Sequence, residues 1–171
     1  ITPLNIIKHT NGFFVSGSNT ISGDNKYRRV DFFDWDLNIV QTFPQTTLTI
    51  NNFRKGCYKD DFLYVCNDSG VLVKYQISTN TIVAETQISE IAPILNILLI
   101  NDNFLLLQTN TSKIMMYDLN LKFVKQWNFY NTTTSGGYII SDGNNTIWTQ
   151  STSQPTIIYK KQFIDLSSGV M

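Results

Sequence analysis

The sequence predicts an all-β architecture of about four repeated, four-stranded antiparallel units. Three observations carry this reading. Aromatics that close short apolar runs, Phe33, Tyr75, Tyr117 and Tyr159, return at equal intervals of 42 residues. Between them, short apolar and β-branched runs alternate with clusters of Asn, Asp, Gly and Ser, the chemistry of tight turns. No stretch shows a long i, i+3, i+4 apolar pattern with caps, and the nearest approach, residues 88–99, contains Pro93 and is rich in Ile.

The first unit opens after the turn Asn11-Gly12 at Phe13 and closes on DFFDWDLN, Asp31 to Asn38. Its opening lies seven residues further from the anchor than in the other units. The surplus falls in SGSNTISGDNK, Ser16 to Lys26, a loop by composition, and repeats place their insertions in loops. In the second unit the expected strands are Asn52 to Tyr58, Phe62 to Cys66, Val71 to Ile77 and Thr81 to Thr86, linked by KDD, NDSG and STN. There Val71, Val73, Tyr75 and Ile77 alternate with Leu72, Lys74 and Gln76, a period of two. In the third unit Phe104 to Leu107 is an apolar run bounded by NDN and TNTS, as for a strand covered on both faces, and the third strand is IMMYDLN. The fourth unit carries TIIYKKQF, Thr156 to Phe163. FIDLSSGVM, Phe163 to Met171, is an alternative third-strand close, with Tyr159 to Gln162 then an insertion. The units fall at about 1–44, 45–87, 88–129 and 130–171 within a single domain.

Four short strands every 40 to 45 residues are the signature of a β-propeller blade. The third-strand closes Phe33-Asp34, Tyr75-Gln76, Tyr117-Asp118 and Tyr159-Lys160 stand where WD repeats place Trp-Asp. The chain thus resembles the β-propeller superfamily, with WD-repeat-like and quinoprotein-like blades, over almost its whole length. Two of the four closes keep the acidic residue, and no Gly-His pair opens a repeat, so the resemblance implies the architecture without one family's function. Neither end offers a good strand to complete a blade. The expectation is a four-blade portion of a larger propeller completed by further blades; a self-contained four-bladed ring, or one completed by a partner chain, is the alternative.

Composition narrows the function. Of 171 residues, 42% are hydrophobic, enough for a real core, while 15% are charged with no net charge. Nucleic-acid binders show a basic stripe; here the single basic cluster is Lys26, Arg28 and Arg29, so nucleic acid is not expected as a partner. Ile91 to Ile100 is the longest apolar run, too short and interrupted to cross a bilayer, so membrane insertion is not expected. Cys57 and Cys66 flank a tight turn. With a two-residue turn Cys57 faces Tyr64 and Cys66 lies on a diagonal, beyond common disulfide geometry, so both are expected as free, buried thiols.

Catalytic motifs are missing. There is no G-x-S-x-G and no phosphate loop, and the single histidine, His9, reads as structural. Asp60, Asp61, Asp68, Asp102 and Asp142 sit at separate turn tips, where carboxylates bond their own backbone rather than converge on a metal. No catalytic residue, cofactor or metal is therefore expected. Sequons stand at Asn67, Asn110, Asn131 and Asn144. In-phase aromatics such as Phe33, Tyr75 and Tyr117 read as core. Trp35, Trp127 and Trp148 are less constrained, and an exposed Trp stacks on sugars or on a partner protein. With Lys26, Arg28 and Arg29 in the first insertion, they form the candidate binding surface. The expected function is a non-enzymatic recognition or structural module of an extracellular or virion-surface assembly, such as a tail-fibre or receptor-binding component, presenting loops to a glycan or protein. An intracellular, cytoplasmic WD-like scaffold is the alternative. A propeller hydrolase or lactonase is disfavoured, because the expected inner strands carry almost no carboxylates.

Overall fold

The computed structural model describes residues 2–18, 30–44, 53–67, 70–88, 94–109, 113–128, 136–142, 146–151 and 158–162. Among these, all regular structure is β-strand, in two compact units, Ile1–Pro93 and Ile94–Met171.

The first unit holds two antiparallel sheets. Sheet 1 runs β1 (Thr2–His9), β2 (Gly12–Ser18), β3 (Val30–Phe33) and β4 (Ile39–Thr42) in sequence order. Sheet 2 repeats this order with β5 (Phe53–Lys59), β6 (Phe62–Asn67), β7 (Val71–Gln76) and β8 (Thr81–Gln87). Turn chemistry made sheet 2 readable to within a residue or two at each end. Asp60 takes the left-handed conformation at φ 52°, which Asx residues tolerate, and Lys59 pairs with Phe62 across a two-residue turn. The β1–β2 turn is Thr10-Asn11, with Gly12 already paired to His9. Gly12 must be glycine, because its φ is 154° and a Cβ there would overlap the Phe33 carbonyl oxygen. One expectation is corrected: Ser16 to Ser18 form strand rather than loop, since Asn5, Pro3 and Thr2 pair with them and satisfy their ladder. Residues 19–29 lie outside the described residues.

Strand alternation gives each sheet two faces. The face carrying the repeating aromatic is called here the anchor face. In sheet 2 it is formed by the rows Tyr58–Leu63–Tyr75–Ile82 and Gly56–Val65–Val73–Glu85. It packs on the other face of sheet 1, where Ile7, Phe14, Val30 and Phe32 join Phe43 and Phe53 in one buried cluster. Gly56 permits this approach: a Cβ there would lie 2.6 Å from Ile7 Cδ1 and 2.7 Å from the Tyr64 carbonyl oxygen. Side chains stitch the same seam. Gln41 Nε2 donates to the Ile77 carbonyl at 3.0 Å, and Asn80 Nδ2 donates to the Thr42 carbonyl at 3.0 Å.

The second unit holds sheet 3, with β9 (Ile94–Ile100), β10 (Phe104–Thr109), β11 (Lys113–Asp118) and β12 (Phe123–Asn128), and sheet 4, whose strands among the described residues are β13 (Gly136–Ser141), β14 (Thr146–Ser151) and β15 (Ile158–Gln162). The stretch weighed as a helix and rejected is, from Ile94 onward, strand β9. Ile100, Leu106, Ile114 and Met116 on the non-anchor face of sheet 3 pack on Ile139 and Ile147 of sheet 4. Asn96 Nδ2 donates to the Ile139 carbonyl at 2.9 Å across that seam.

The repeating aromatics mark a repeating backbone feature. Between the third and fourth strands of every complete sheet the register shifts immediately before the anchor, and Phe33, Tyr75 and Tyr117 then pair with Ile39, Ile82 and Phe123. Such a bulge bends the strand and increases its twist. In sheet 4 Tyr159 pairs with Thr149, and Lys161 pairs with Ile147, the residue in phase with Leu63 and Leu105. The third strand there is displaced by two residues; an even shift keeps each residue on its own face. Tyr159 to Gln162 therefore lie in a strand and not an insertion, and residues 163–171 lie outside the described residues.

Candidate binding surface

The link between β3 and β4 is a closed five-residue loop, Asp34 to Asn38. Asp34 Oδ1 accepts from the backbone N–H of Asp36 at 3.0 Å and of Asn38 at 2.8 Å, while Oδ2 accepts from Asn38 Nδ2 at 3.0 Å. Asp34 N–H donates to the Asn38 carbonyl, and Leu37 N–H to the Asp34 carbonyl. Leu37 closes the loop at φ 66°. These bonds, the Asn38 amide first, hold the Asp34 carboxyl below the usual aspartate value.

The link between β11 and β12, Asp118 to Lys122, repeats the backbone closure of this loop, with Lys122 in place of Asn38. Asp118 Oδ1 accepts from Asn120 N–H at 2.8 Å and Lys122 N–H at 2.9 Å, and Leu121 takes φ 63°. Sheet 2 has Gln76 at the equivalent position and solves the problem from the other side. Asp61 of the β5–β6 turn accepts from Ser78 N–H at 2.9 Å, Ser78 Oγ at 2.5 Å and Gln76 Nε2 at 3.0 Å. The Ser78 hydroxyl, with the Gln76 amide adding, holds Asp61 below the usual value. The acidic residue closing the third strand is thus a loop lock, not a ligand.

The locked loop of sheet 1 presents Trp35, 55% exposed, and Leu37 to solvent. Trp35 Nε1 donates to the Thr10 carbonyl at 3.2 Å, and the ring leans on Phe13 at 5.9 Å. Phe13 is stacked on Phe33 at 5.5 Å and 5°. Ile39 and Val40 are exposed beside it.

The other expected site residues are not gathered there. Lys26, Arg28 and Arg29 lie outside the described residues. Trp127 is half-buried and packs against the sheet 3–sheet 4 core, with Lys125 Nζ over its ring at 5.9 Å. Trp148 is half-buried in sheet 4, in register with exposed Ile140 on one side and Lys160 on the other. Of the anchors read as core, Tyr75 and Tyr117 are buried, whereas Phe33 is half-exposed.

His9 is structural. Its Nδ1 accepts from Asn11 N–H at 3.2 Å, and its ring sits edge-on to Phe14 and Phe32 at 5.5 and 5.3 Å and against Tyr58 at 4.9 Å. Cys57 faces Tyr64 and is half-buried rather than fully buried as expected, while Cys66 is buried and its Sγ donates to the carbonyl of the facing Lys55 at 3.6 Å; the two are not joined in a disulfide. Burial, with the Cys66 thiol adding, pushes Cys57 far above an ordinary thiol. Asn67 is buried and its Oδ1 accepts from Val71 N–H at 2.9 Å, so that sequon closes a turn and is no glycan acceptor in the folded chain. Among the described residues no group of three or more His, Cys, Asp or Glu could hold a metal ion. Nor is any helix among them long and apolar enough to cross a membrane.

Repeated four-stranded antiparallel sheets, each bulged at its third-strand aromatic, define the class: the chain has the β-propeller fold. No protein-family model matches the sequence, and no curated relative does. Solved structures supply the likeness. The computationally designed Ika4 protein superposes with a TM-score of 0.73 at 8% identity, over 95% of this chain and 91% of that one. BamB from Moraxella catarrhalis gives 0.68 at 11% identity, over 92% of this chain and 42% of BamB. The Pan2 WD40 domain of Neurospora crassa gives 0.68 at 12% identity, over 92% of this chain and 46% of that one. The chain thus spans less than half the length of these two natural propellers.

Proposed function

We propose that the chain is a non-catalytic recognition module that presents the locked β3–β4 loop, with Trp35 and Leu37 at its crest, to a glycan or protein in an extracellular or virion-surface assembly. The observation that carries the reading is the loop itself. A carboxylate that satisfies the loop's own N–H groups fixes the backbone that carries an exposed indole, itself steadied by the Thr10 carbonyl and the Phe13 ring, and an exposed isobutyl group. A rigid aromatic anchor loses little entropy on binding, which is what stacking on a sugar ring or filling a partner's pocket requires. The low charge and the Asn- and Thr-rich surface agree with an extracellular or virion setting.

The test is a screen of the purified chain against a glycan array and an array of cell-surface ectodomains, repeated with Trp35→Ala and Leu37→Ala. The reading expects a ligand whose affinity falls at least about tenfold in Trp35→Ala, as for truncation of an interface anchor, while circular dichroism is unchanged. No ligand on either array, or a ligand indifferent to both substitutions, overturns it.

A further inference from the structure

The sheet 3 loop is an internal control for the sheet 1 loop. Both close by the same backbone bonds, with Asp34 and Asp118 as locks and Leu37 and Leu121 in the left-handed conformation. The residues between lock and leucine differ: Trp35 and Asp36 in sheet 1, Leu119 and Asn120 in sheet 3. The closure therefore requires neither the indole nor the second carboxylate. Both Trp35 and Asp36 are exposed, and among the described residues nothing pairs with the Asp36 carboxylate. Lys8, exposed in the row of Phe13 and Phe33, forms no ion pair with it. The donors of the loop, by contrast, are engaged. The N–H groups of Asp34, Asp36, Leu37 and Asn38, the Asn38 side-chain amide and the Trp35 indole N–H all donate within the chain. The segment 30–44 carries Asp31, Asp34 and Asp36 and no lysine or arginine. Asp31 is buried and accepts from Thr42 Oγ1, and Asp34 is the lock, so Asp36 is the charge left for a ligand.

We propose that this crest takes an arginine side chain of a partner protein, with the guanidinium lying on the exposed part of the Trp35 ring and pairing with the Asp36 carboxylate. The proposal rests on the reading of the loop as a recognition site and names what that site takes. The match is chemical. The side chains of Trp35, Asp36 and Leu37 offer an acceptor and no free donor, and a guanidinium carries donors and no acceptor. A guanidinium is planar and weakly hydrated, so it stacks on an indole where a compact ammonium keeps its water. Its positive charge complements the unpaired carboxylate, and Leu37 stands beside them as an apolar surface for the methylene stem. A sugar hydroxyl both donates and accepts, and these side chains supply only the accepting half. That selects a protein over a glycan as the partner.

The test is a titration of the isotope-labelled chain with N-acetyl-arginine methylamide, its citrulline and lysine counterparts and methyl β-galactoside, at fixed ionic strength. It is followed by NMR at the Trp35 indole N–H and the backbone N–H groups of Asp36 and Leu37. The arginine probe is expected to give a saturable shift there, and the neutral citrulline and the lysine probe weaker ones. Asp36→Asn installs the residue that the sheet 3 loop already carries, so the circular dichroism spectrum is expected to stay unchanged while affinity for the arginine probe falls about two- to fivefold. Asp36→Glu is expected to restore part of that loss. Trp35→Leu likewise borrows Leu119 and is expected to remove the response at Asp36 and Leu37. No saturable arginine response at the crest, an equal response to citrulline or lysine, or a response indifferent to Asp36→Asn each overturns the proposal. The arrays described above test whether the module recognises anything. A Trp35-dependent glycan there, with a galactoside response and none to arginine, overturns this inference and leaves that reading standing.

Discussion

The Tyr75 phenol donates a hydrogen bond of 2.9 Å to the Pro44 carbonyl, tying the third strand of sheet 2 to the end of sheet 1. Its ring meets Phe43 at 5.2 Å and Phe53 at 6.5 Å, both edge-on. Burial, with the Glu85 charge adding, raises its pKa, so the donor keeps its proton across the ordinary pH range. Tyr75→Phe removes only the donor and leaves the carbonyl without it. It is expected to cost about 1–2 kcal/mol in urea unfolding with an unchanged m-value; no loss would show that the bond does not hold the seam.

Gly56→Ala places a methyl group against Ile7 and against the Tyr64 carbonyl, which is backbone and cannot step aside. The expected loss is about 1–3 kcal/mol, the scale of overpacking a core. Ile7→Val removes the Cδ1 atom that the new methyl meets. In a double-mutant cycle the pair is therefore expected to be less destabilised than the sum of the single substitutions.

Leu37 and Leu121 occupy the same position of the same loop at φ 66° and 63°, yet Leu37 is 71% exposed and Leu121 is 5% exposed. Replacement by glycine relieves the same backbone strain in both. Leu37→Gly is expected to stabilise by about 0.5–1 kcal/mol. Leu121→Gly is expected to destabilise by about 2 kcal/mol, because a buried side chain is lost as well. Thermal unfolding of the two variants tests this; shifts of the same sign would contradict it.

Asp61 and Asp34 have folded pKa values below the ordinary 3.8. A carboxyl depressed by folding adds stability that is fully present above its unfolded pKa and is lost as pH falls through its folded pKa. The melting temperature is therefore expected to fall between about pH 5 and pH 2. Asp61→Asn should lower it at neutral pH and make the acid decline shallower. An equal decline in wild type and variant would remove Asp61 from the account.

The repeat, the strands and most turns were legible in the sequence because they depend on local chemistry. Asx residues accept left-handed backbone, alternation gives faces, and a phased aromatic marks each bulge. The lock on the sheet 2 loop was not legible, since Asp61 reaches Ser78 from a turn 17 residues earlier. The tryptophans were equally opaque. Trp127 packs on a core that Ile139 and Ile147 bring from the next sheet, whereas Trp35 leans on Phe13 at the sheet's rim and stays 55% exposed, on a loop whose lock, Asp34, is adjacent in sequence.

By itself the sequence determined the class of fold, the repeat of the units and, to within a residue or two, the ends of the second unit's strands. Only the tertiary structure decided which faces are covered. It made Phe33 half-exposed and Tyr75 buried, although the same period places both, because a side chain's burial is set by the sheet that packs over it and not by the strand that carries it.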